Sequence, residues 1–173
     1  MKHILIDTSL GRVRLAATEM GLAGLWFEGQ KHSPDTTGWQ YDPDHPVLRE
    51  ATQQLLAYFS DQRRSFDLPL DLSRGTPFQQ AVWNALLTIP RGTTVSYGHL
   101  SQTIGKPAAT RAVGATVGRN PISVIVPCHR VLGADGSLTG FASGLARKHA
   151  LLVLEGALAW QRPLPLEGEL LIC

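Results

Sequence analysis

One local signal organises the chain: Thr76-Pro77-Phe78-Gln79. Threonine at the cap, proline at the first helical position and glutamine three residues past the cap satisfy the free N–H groups of a first turn, so a helix starts here. Phe78, Val82, Leu86 and Ile89 supply its buried stripe, and Pro90-Arg91-Gly92 ends it near Thr88. Ser73-Arg74-Gly75, just upstream, then reads as a boundary. It separates an N-terminal α/β domain over residues 1–73 from a second domain over 74–160, with 161–173 as a tail. At 173 residues and 43% apolar, the chain can bury a core without staples and is not intrinsically disordered.

Upstream of the boundary the period is two. Lys2–Asp7, Val13–Thr18 and Leu22–Phe27 read as strands of a β-meander, separated by the turns at Ser9–Arg12 and Glu19–Gly21. Glu28 to Pro46 is a Ser/Pro/Asp/Thr/Gly loop, and Val47 to Ser60 an amphipathic helix that buries Leu48, Ala51, Leu55 and Phe59. Phe66, Leu68, Leu70 and Leu72 alternate with Asp67, Pro69 and Asp71, which predicts an edge strand, since Pro69 cannot donate to a ladder.

Downstream the pattern is helical. Ser96 caps a helix over Tyr97–Ile104 that stops at Gly105; Pro107 opens a second, running through Arg111 to Val117 and stopping at Gly118. This is a helix-turn-helix pattern. Its second helix is nearly free of large side chains: Ala108, Ala109, Thr110, Ala112, Gly114, Ala115 and Thr116 surround one long cation, Arg111. Small residues serve close packing inside a protein as well as close approach to another surface. Charge adds a hint. Residues 1–70 carry net −2, 71–160 net +5 and 161–173 net −1, and no acidic residue lies between Asp71 and Asp135, where Arg74, Arg91, Lys106, Arg111, Arg119 and Arg130 fall. Such a stretch suits an anion such as nucleic acid, or a solvated face.

Ile122–Val126 is β-branched and apolar, fit for a buried strand that delivers Pro127-Cys128-His129-Arg130. A cysteine there is an inert thiol or a nucleophile. Adjacent side chains of extended chain point apart, so His129 would serve Cys128 as base through a bridging water, with Glu155 orienting the imidazole. Glu155 ends a last helix, Leu145 to Glu155, with Leu145, Leu152 and either Ala146 or His149 inward and Gly156 as its stop. Two cysteines in 173 residues are too few for a disulfide framework, and no Cys-x-x-Cys pair is present to seat a structural zinc, so a reducing, cytoplasmic setting is expected. The amino terminus has neither a signal peptide's apolar run nor a membrane span.

The residues then carry a resemblance. Ile125-Val126-Pro127-Cys128-His129-Arg130-Val131 resembles the Pro-Cys-His-Arg signature of the O6-alkylguanine-DNA alkyltransferases (methylated-DNA–protein-cysteine methyltransferases). So do Thr76–Gln79 with Val82-Trp83, Ile89–Gly92, Ser96-Tyr97-Gly98, Arg111–Gly114, Gly118–Pro121, and Gly144-Leu145 through Leu154-Glu155-Gly156, in order and spacing. The resemblance implies an α+β fold, with a small N-terminal β-meander/α domain before a mostly helical domain bearing the helix-turn-helix. It also implies DNA repair by direct damage reversal. Cys128 would take the alkyl group from O6-alkylguanine, and less efficiently from O4-alkylthymine, in double-stranded DNA, irreversibly and once per molecule.

By the same resemblance, His129 is the water-mediated base, Glu155 orients it, and Asn120 braces the turn leading to the active site. Tyr97 crowds the 3′ phosphate and gives a proton to N3 of the leaving guanine. Arg111 is the finger that fills the gap left by a flipped base. Ser96, Thr110, Ala112, Gly114, Ala115 and Arg119 accompany it in the minor groove, and Val131, Leu138, Phe141, Ala142 and Ser143 form the substrate pocket. No cofactor, metal, membrane or obligate protein partner is implied, and the protein is expected to be a monomer able to cluster on DNA. Some relatives bind an N-terminal zinc; here the first 127 residues hold no cysteine, so His3, His32, His45 and His99 lack thiolate company. Departures fall in the pocket and on the recognition helix. Phe141 replaces the usual tyrosine, Ser143 a common glycine, Ala142 lacks a hydroxyl, and Thr116-Val117 replaces the usual small or amide pair. The rival readings are a non-catalytic lesion-binding relative, a plain DNA-binding regulator and a cysteine hydrolase. The presence of Cys128 argues against the first.

Overall fold

Two-residue turns at Ser9-Leu10 and Glu19-Met20 fold the first 27 residues back on themselves, pairing Thr8 with Gly11 and Thr18 with Gly21. The structure, a computed structural model, describes residues 1–159; the expected tail at 161–173, with Cys173, lies outside them. Strands β1 (Lys2–Thr8), β2 (Gly11–Thr18) and β3 (Gly21–Phe27) form the expected antiparallel meander. Gly21 has to be glycine: its φ is +149°, and a Cβ there would meet the Pro69 carbonyl oxygen at 2.5 Å. The segment expected to be all loop adds a short β4 (Gln40–Tyr41), parallel to β1, so the sheet runs β3-β2-β1-β4.

Helix α1 (Pro46–Phe59) packs on this sheet. It buries Leu48, Ala51 and Leu55 as the spacing predicts, but the aromatic residue that joins them is Tyr58, fully buried, whereas Phe59, expected there, is only partly so. Both follow Leu55 at a helical interval, and packing decides between them. Gln54, also buried, exchanges two 2.8 Å hydrogen bonds with the backbone of Asp67. The strand expected over Phe66–Leu72 does not form. Pro69 has no N–H, and the segment touches β3 at one bridge only, Leu22 with Leu70, through Leu22 N–H to Pro69 O and Asp71 N–H to Leu22 O.

Helix α2 (Pro77–Leu86) begins with the expected capping box: the Thr76 hydroxyl accepts from Gln79 N–H and the Gln79 side chain accepts from Thr76 N–H. Its buried face is Val82, Trp83, Ala85 and Leu86, with Phe78 at the rim. Then follow β5 (Val95–Ser96), α3 (Tyr97–Thr103), the left-handed Gly105, a 3₁₀ turn at Pro107–Ala109 and α4 (Thr110–Gly118). This is the expected helix-turn-helix with two adjustments: Pro107 opens a 3₁₀ turn rather than the helix, and Gly118 is its last helical residue rather than its stop. The remaining elements are a 3₁₀ turn at Cys128–Arg130, β6 (Val131–Leu132), parallel to β5, and α5 (Leu145–Leu154).

The core is shared. Leu25 of β3 bonds through its N–H to Pro121 O and through its carbonyl to Ser123 N–H, so residues 121–123 dock along the same sheet edge as residues 69–71. All of β3 is consequently buried, and one apolar cluster joins Leu15, Leu22, Leu25 and Leu48 to Val82, Leu86, Val113, Ile122 and Leu151.

Candidate active site and nucleic-acid interface

Residues 122–126 make a buried turn, not the strand their β-branched composition predicts. Val124 sits at φ +72°, a conformation that costs a β-branched residue about 1–3 kcal/mol and persists only when its surroundings enforce it. Asn120 supplies part of that enforcement. Its Nδ2 donates to Val126 O at 2.7 Å while its Oδ1 accepts from Ile122 N–H at 3.0 Å, so one side chain clamps both ends of the turn. Pro127 follows, and the chain enters the 3₁₀ turn of Cys128, His129 and Arg130. The premise that neighbouring side chains alternate as in a strand therefore does not hold at Cys128 and His129.

Cys128 is 5% exposed and lines a cleft with Val117, Gly118, Asn120, Ser123, Gly140, Phe141 and Ala142. Burial raises the thiol above its ordinary pKa, opposed by the Asn120 hydrogen bond and by the charge of Lys148. Next to it, His129 is fully buried with Nε2 2.7 Å from Glu155 Oε1.

Glu155 is the hub of a network. Arg130 donates from Nε to Oε2 and from Nη2 to Oε1, both at 2.9 Å, and Tyr58 donates its hydroxyl to Oε1. Burial alone would raise this carboxyl, but the hydrogen bonds from His129 and Arg130 outweigh it and bring the pKa down to about 2. Tyr58 is pushed up, first by burial and then by the Glu155 charge. A carboxylate can only accept, so Nε2 of His129 carries the proton. Burial holds His129 below its ordinary value despite Glu155, so the imidazole is neutral and Nδ1 presents a lone pair. That Nδ1 is buried and has no hydrogen-bond partner among the described residues.

Around the cleft, Tyr97 at the start of α3 donates to Thr139 O at 3.2 Å, placing its ring between α4 and the 138–143 loop. Lys148 of α5 is 0% exposed and donates from Nζ to Val131 O at 2.6 Å, Thr139 O at 2.9 Å and Gly140 O at 3.4 Å. On α4, Val113, Thr116 and Val117 face inward, and Thr116 O accepts from Trp83 Nε1 at 3.0 Å. Thr110, Arg111, Ala112 and Ala115 are exposed, as is Arg119 just past the helix, with Gly114 half-buried against Tyr97. Ser96 caps α3 by accepting from His99 N–H.

Three comparisons bear on this arrangement. The family model for the 6-O-methylguanine DNA methyltransferase DNA binding domain matches residues 77–157, and that for the same enzymes' ribonuclease-like domain matches residues 1–72. The methylated-DNA–protein-cysteine methyltransferase of Mycobacterium tuberculosis is 51% identical over 150 residues, 87% of this chain and 89% of that protein. The chain belongs to the 6-O-methylguanine DNA methyltransferase family. The family extends to archaea: the Methanosarcina acetivorans protein of the same name is 46% identical, covering 91% of this chain and 99% of its own. The crystal structure of Mycobacterium tuberculosis OGT in complex with DNA superposes with TM-score 0.84 at 48% identity, covering 91% of this chain and 94% of that one.

Within this methyltransferase fold the structure brings Cys128, His129, Glu155, Asn120 and Tyr97 around one corner. Phe141 and Ala142 line the cleft; Val131, Leu138 and Ser143, expected in the substrate pocket, are not among its lining residues. Val131 is buried in β6, and Ser143 is buried with its hydroxyl unpartnered among the described residues. On α5, Leu145 is 38% exposed and Ala146 is exposed, while Lys148, Leu151 and Leu152 face inward. Sequence reasoning missed Tyr58, the pairing of Arg130 with Glu155, and Lys148. The signal was present on α5: positions 148, 151, 152 and 155 make one helical stripe, with a charge at each end.

Proposed function

We propose that this protein repairs DNA by taking the alkyl group of O6-alkylguanine, and more slowly of O4-alkylthymine, onto Cys128. The observation that carries the reading is a buried cysteine in a cleft beside a neutral histidine whose Nε2 is held by an ionised carboxylate and whose Nδ1 has no partner among the described residues. The thiol proton passes through a water to Nδ1, sulfur attacks the alkyl carbon in line, and the C–O6 bond breaks with its electrons going to the guanine. Tyr97 gives the departing base a proton at N3. The thiol proton sits on His129 and the guanine proton comes from Tyr97; release of the first to solvent and reprotonation of the Tyr97 phenolate from solvent close the account, and a thioether remains. Nothing in the cleft hydrolyses a thioether, so each molecule acts once.

A base stacked in duplex cannot reach a cysteine that is 5% exposed, so the nucleotide is flipped. The exposed small-residue face of α4 fits the minor groove closely and with little sequence readout, and Arg111 fills the gap in the stack. Mixing the protein with a duplex carrying one O6-methylguanine, followed by intact-mass measurement and peptide mapping, tests this. The expected result is a stoichiometric gain of one methyl on the Cys128 peptide without turnover. An unmodified protein that still shifts the lesion duplex would instead be a lesion sensor. Arg111→Ala should slow transfer from duplex by about tenfold or more, because flipping costs a few kcal/mol. It should leave transfer from free O6-alkylguanine base unchanged; equal losses on both substrates would remove Arg111 from the flipping step.

A further inference from the structure

Lys148 occupies the inward face of α5 with no exposed surface, and all three of its hydrogen bonds go to backbone carbonyls rather than to a carboxylate. A bare buried ammonium is costly, and a neutral amide side chain could make such ties without that cost. The position of the charge gives it a use. Val131 follows the turn of Cys128, His129 and Arg130 directly, and Gly140 lines the cleft beside Cys128. We propose that Lys148 is a positioning residue for alkyl transfer, its buried positive charge favouring the Cys128 thiolate while its hydrogen bonds hold the 139–140 wall of the cleft against β6.

The same charge disfavours protonation of His129, which keeps the imidazole ready as a base. The inference rests on the alkyl-transfer reading for its purpose, but its effect on the thiol is measurable without DNA. Burial brings the Lys148 pKa down to about 8. The other titratable groups around the site titrate elsewhere: His129 below its ordinary value, Tyr97 above its own because of burial, Glu155 near 2 behind His129, and Arg130 stays charged on Glu155. Asn120 does not titrate.

The test is alkylation of Cys128 by iodoacetamide, which forms the S–C bond, releases iodide and sends the thiol proton to solvent. It is followed from pH 6 to 9.5 by peptide mapping, so that Cys173 does not contribute. In the unaltered protein the logarithm of the rate should climb with pH and then flatten near pH 8, where Lys148 loses its charge. At pH 7, Lys148→Gln should react about tenfold more slowly, the equivalent of one pKa unit at the thiol. A rate rising with unit slope through pH 8, or a Lys148→Gln protein that alkylates as fast as the original, would overturn the proposal. The bend needs no variant, so a misfolded Lys148→Gln protein leaves the test intact. If the bend is present but no methyl is taken from lesion duplex, the electrostatic role stands and the repair reading fails. Transfer without the bend would leave the repair reading standing and overturn the role of Lys148.

Discussion

Cys128→Ala will transfer no alkyl group from O6-methylguanine duplex in a single-turnover assay, while binding that duplex within about twofold of the unaltered protein. Binding is expected to persist because the exposed residues of α4 lie on a separate face, anchored by Val113, Thr116 and Val117 rather than by the thiol. The loss should be complete. Ser123 also lines the cleft, but its hydroxyl is a hard, unactivated nucleophile and a poor substitute for a polarisable thiolate at an alkyl carbon. Stability should change by about 1 kcal/mol, a few degrees in Tm, as for removal of one small buried group. Retained transfer in the alanine protein would remove Cys128 from the chemistry altogether. The acid limb of the transfer rate carries a second expectation. Burial lowers the His129 pKa, so the neutral, proton-accepting imidazole persists below pH 6.5, and the rate should hold through that value before falling.

How much of this was legible in the residues depends on whether local or distant groups decide the backbone. The Thr76–Gln79 capping box and the Ser96 cap are satisfied within four residues, and both helices start where the sequence puts them. The turn at 122–126 is the opposite case. Val-Ile-Val composition favours extended chain, but the segment is bent by the Asn120 side chain from outside it and by docking of Ile122 on Leu25. A residue at positive φ that is neither glycine nor asparagine leaves no local trace in the sequence. Phe66–Leu72 fails as a strand for a related reason: alternation signals which side chains are covered, not whether a neighbour supplies a ladder. On α5, lysine at 148 reads as a solvated charge unless its place on the Leu151-Leu152-Glu155 stripe is given more weight than its polarity. Tyr58 rather than Phe59 is the buried aromatic of α1, and its hydroxyl reaches Glu155, 97 residues away in sequence, a partner that local spacing does not reveal.

Glu155→Ala should be the most destabilising single substitution at the site. The carboxylate accepts from His129, from Arg130 twice and from Tyr58, and its side chain is wholly buried. Among the described residues, removing it leaves the Arg130 guanidinium the Ile89 carbonyl at 2.6 Å as its hydrogen-bond acceptor, and strands the Tyr58 hydroxyl and His129 Nε2–H in the core. Breaking a buried ion pair from one side costs about 3–5 kcal/mol, which for a chain of this length is a fall in Tm of roughly 10 °C. The pH dependence identifies the cause. A carboxyl whose folded pKa is depressed to about 2 contributes stability that is complete above its unfolded value, near 4.3, and is lost as pH falls from there toward 2. Denaturant titrations at pH 7 and pH 3 should therefore show the unaltered protein losing more stability on acidification than Glu155→Ala, so that the gap between them narrows. A gap unchanged between the two pH values would mean that lost packing, not the ionised hub, carries the penalty. Glu155→Gln sharpens the comparison. It keeps the volume and one acceptor oxygen but cannot accept from Arg130 on both oxygens, so it should recover part of the stability at pH 7. Its transfer should remain slow, because a neutral amide does not stabilise the imidazolium that forms as Cys128 gives up its proton.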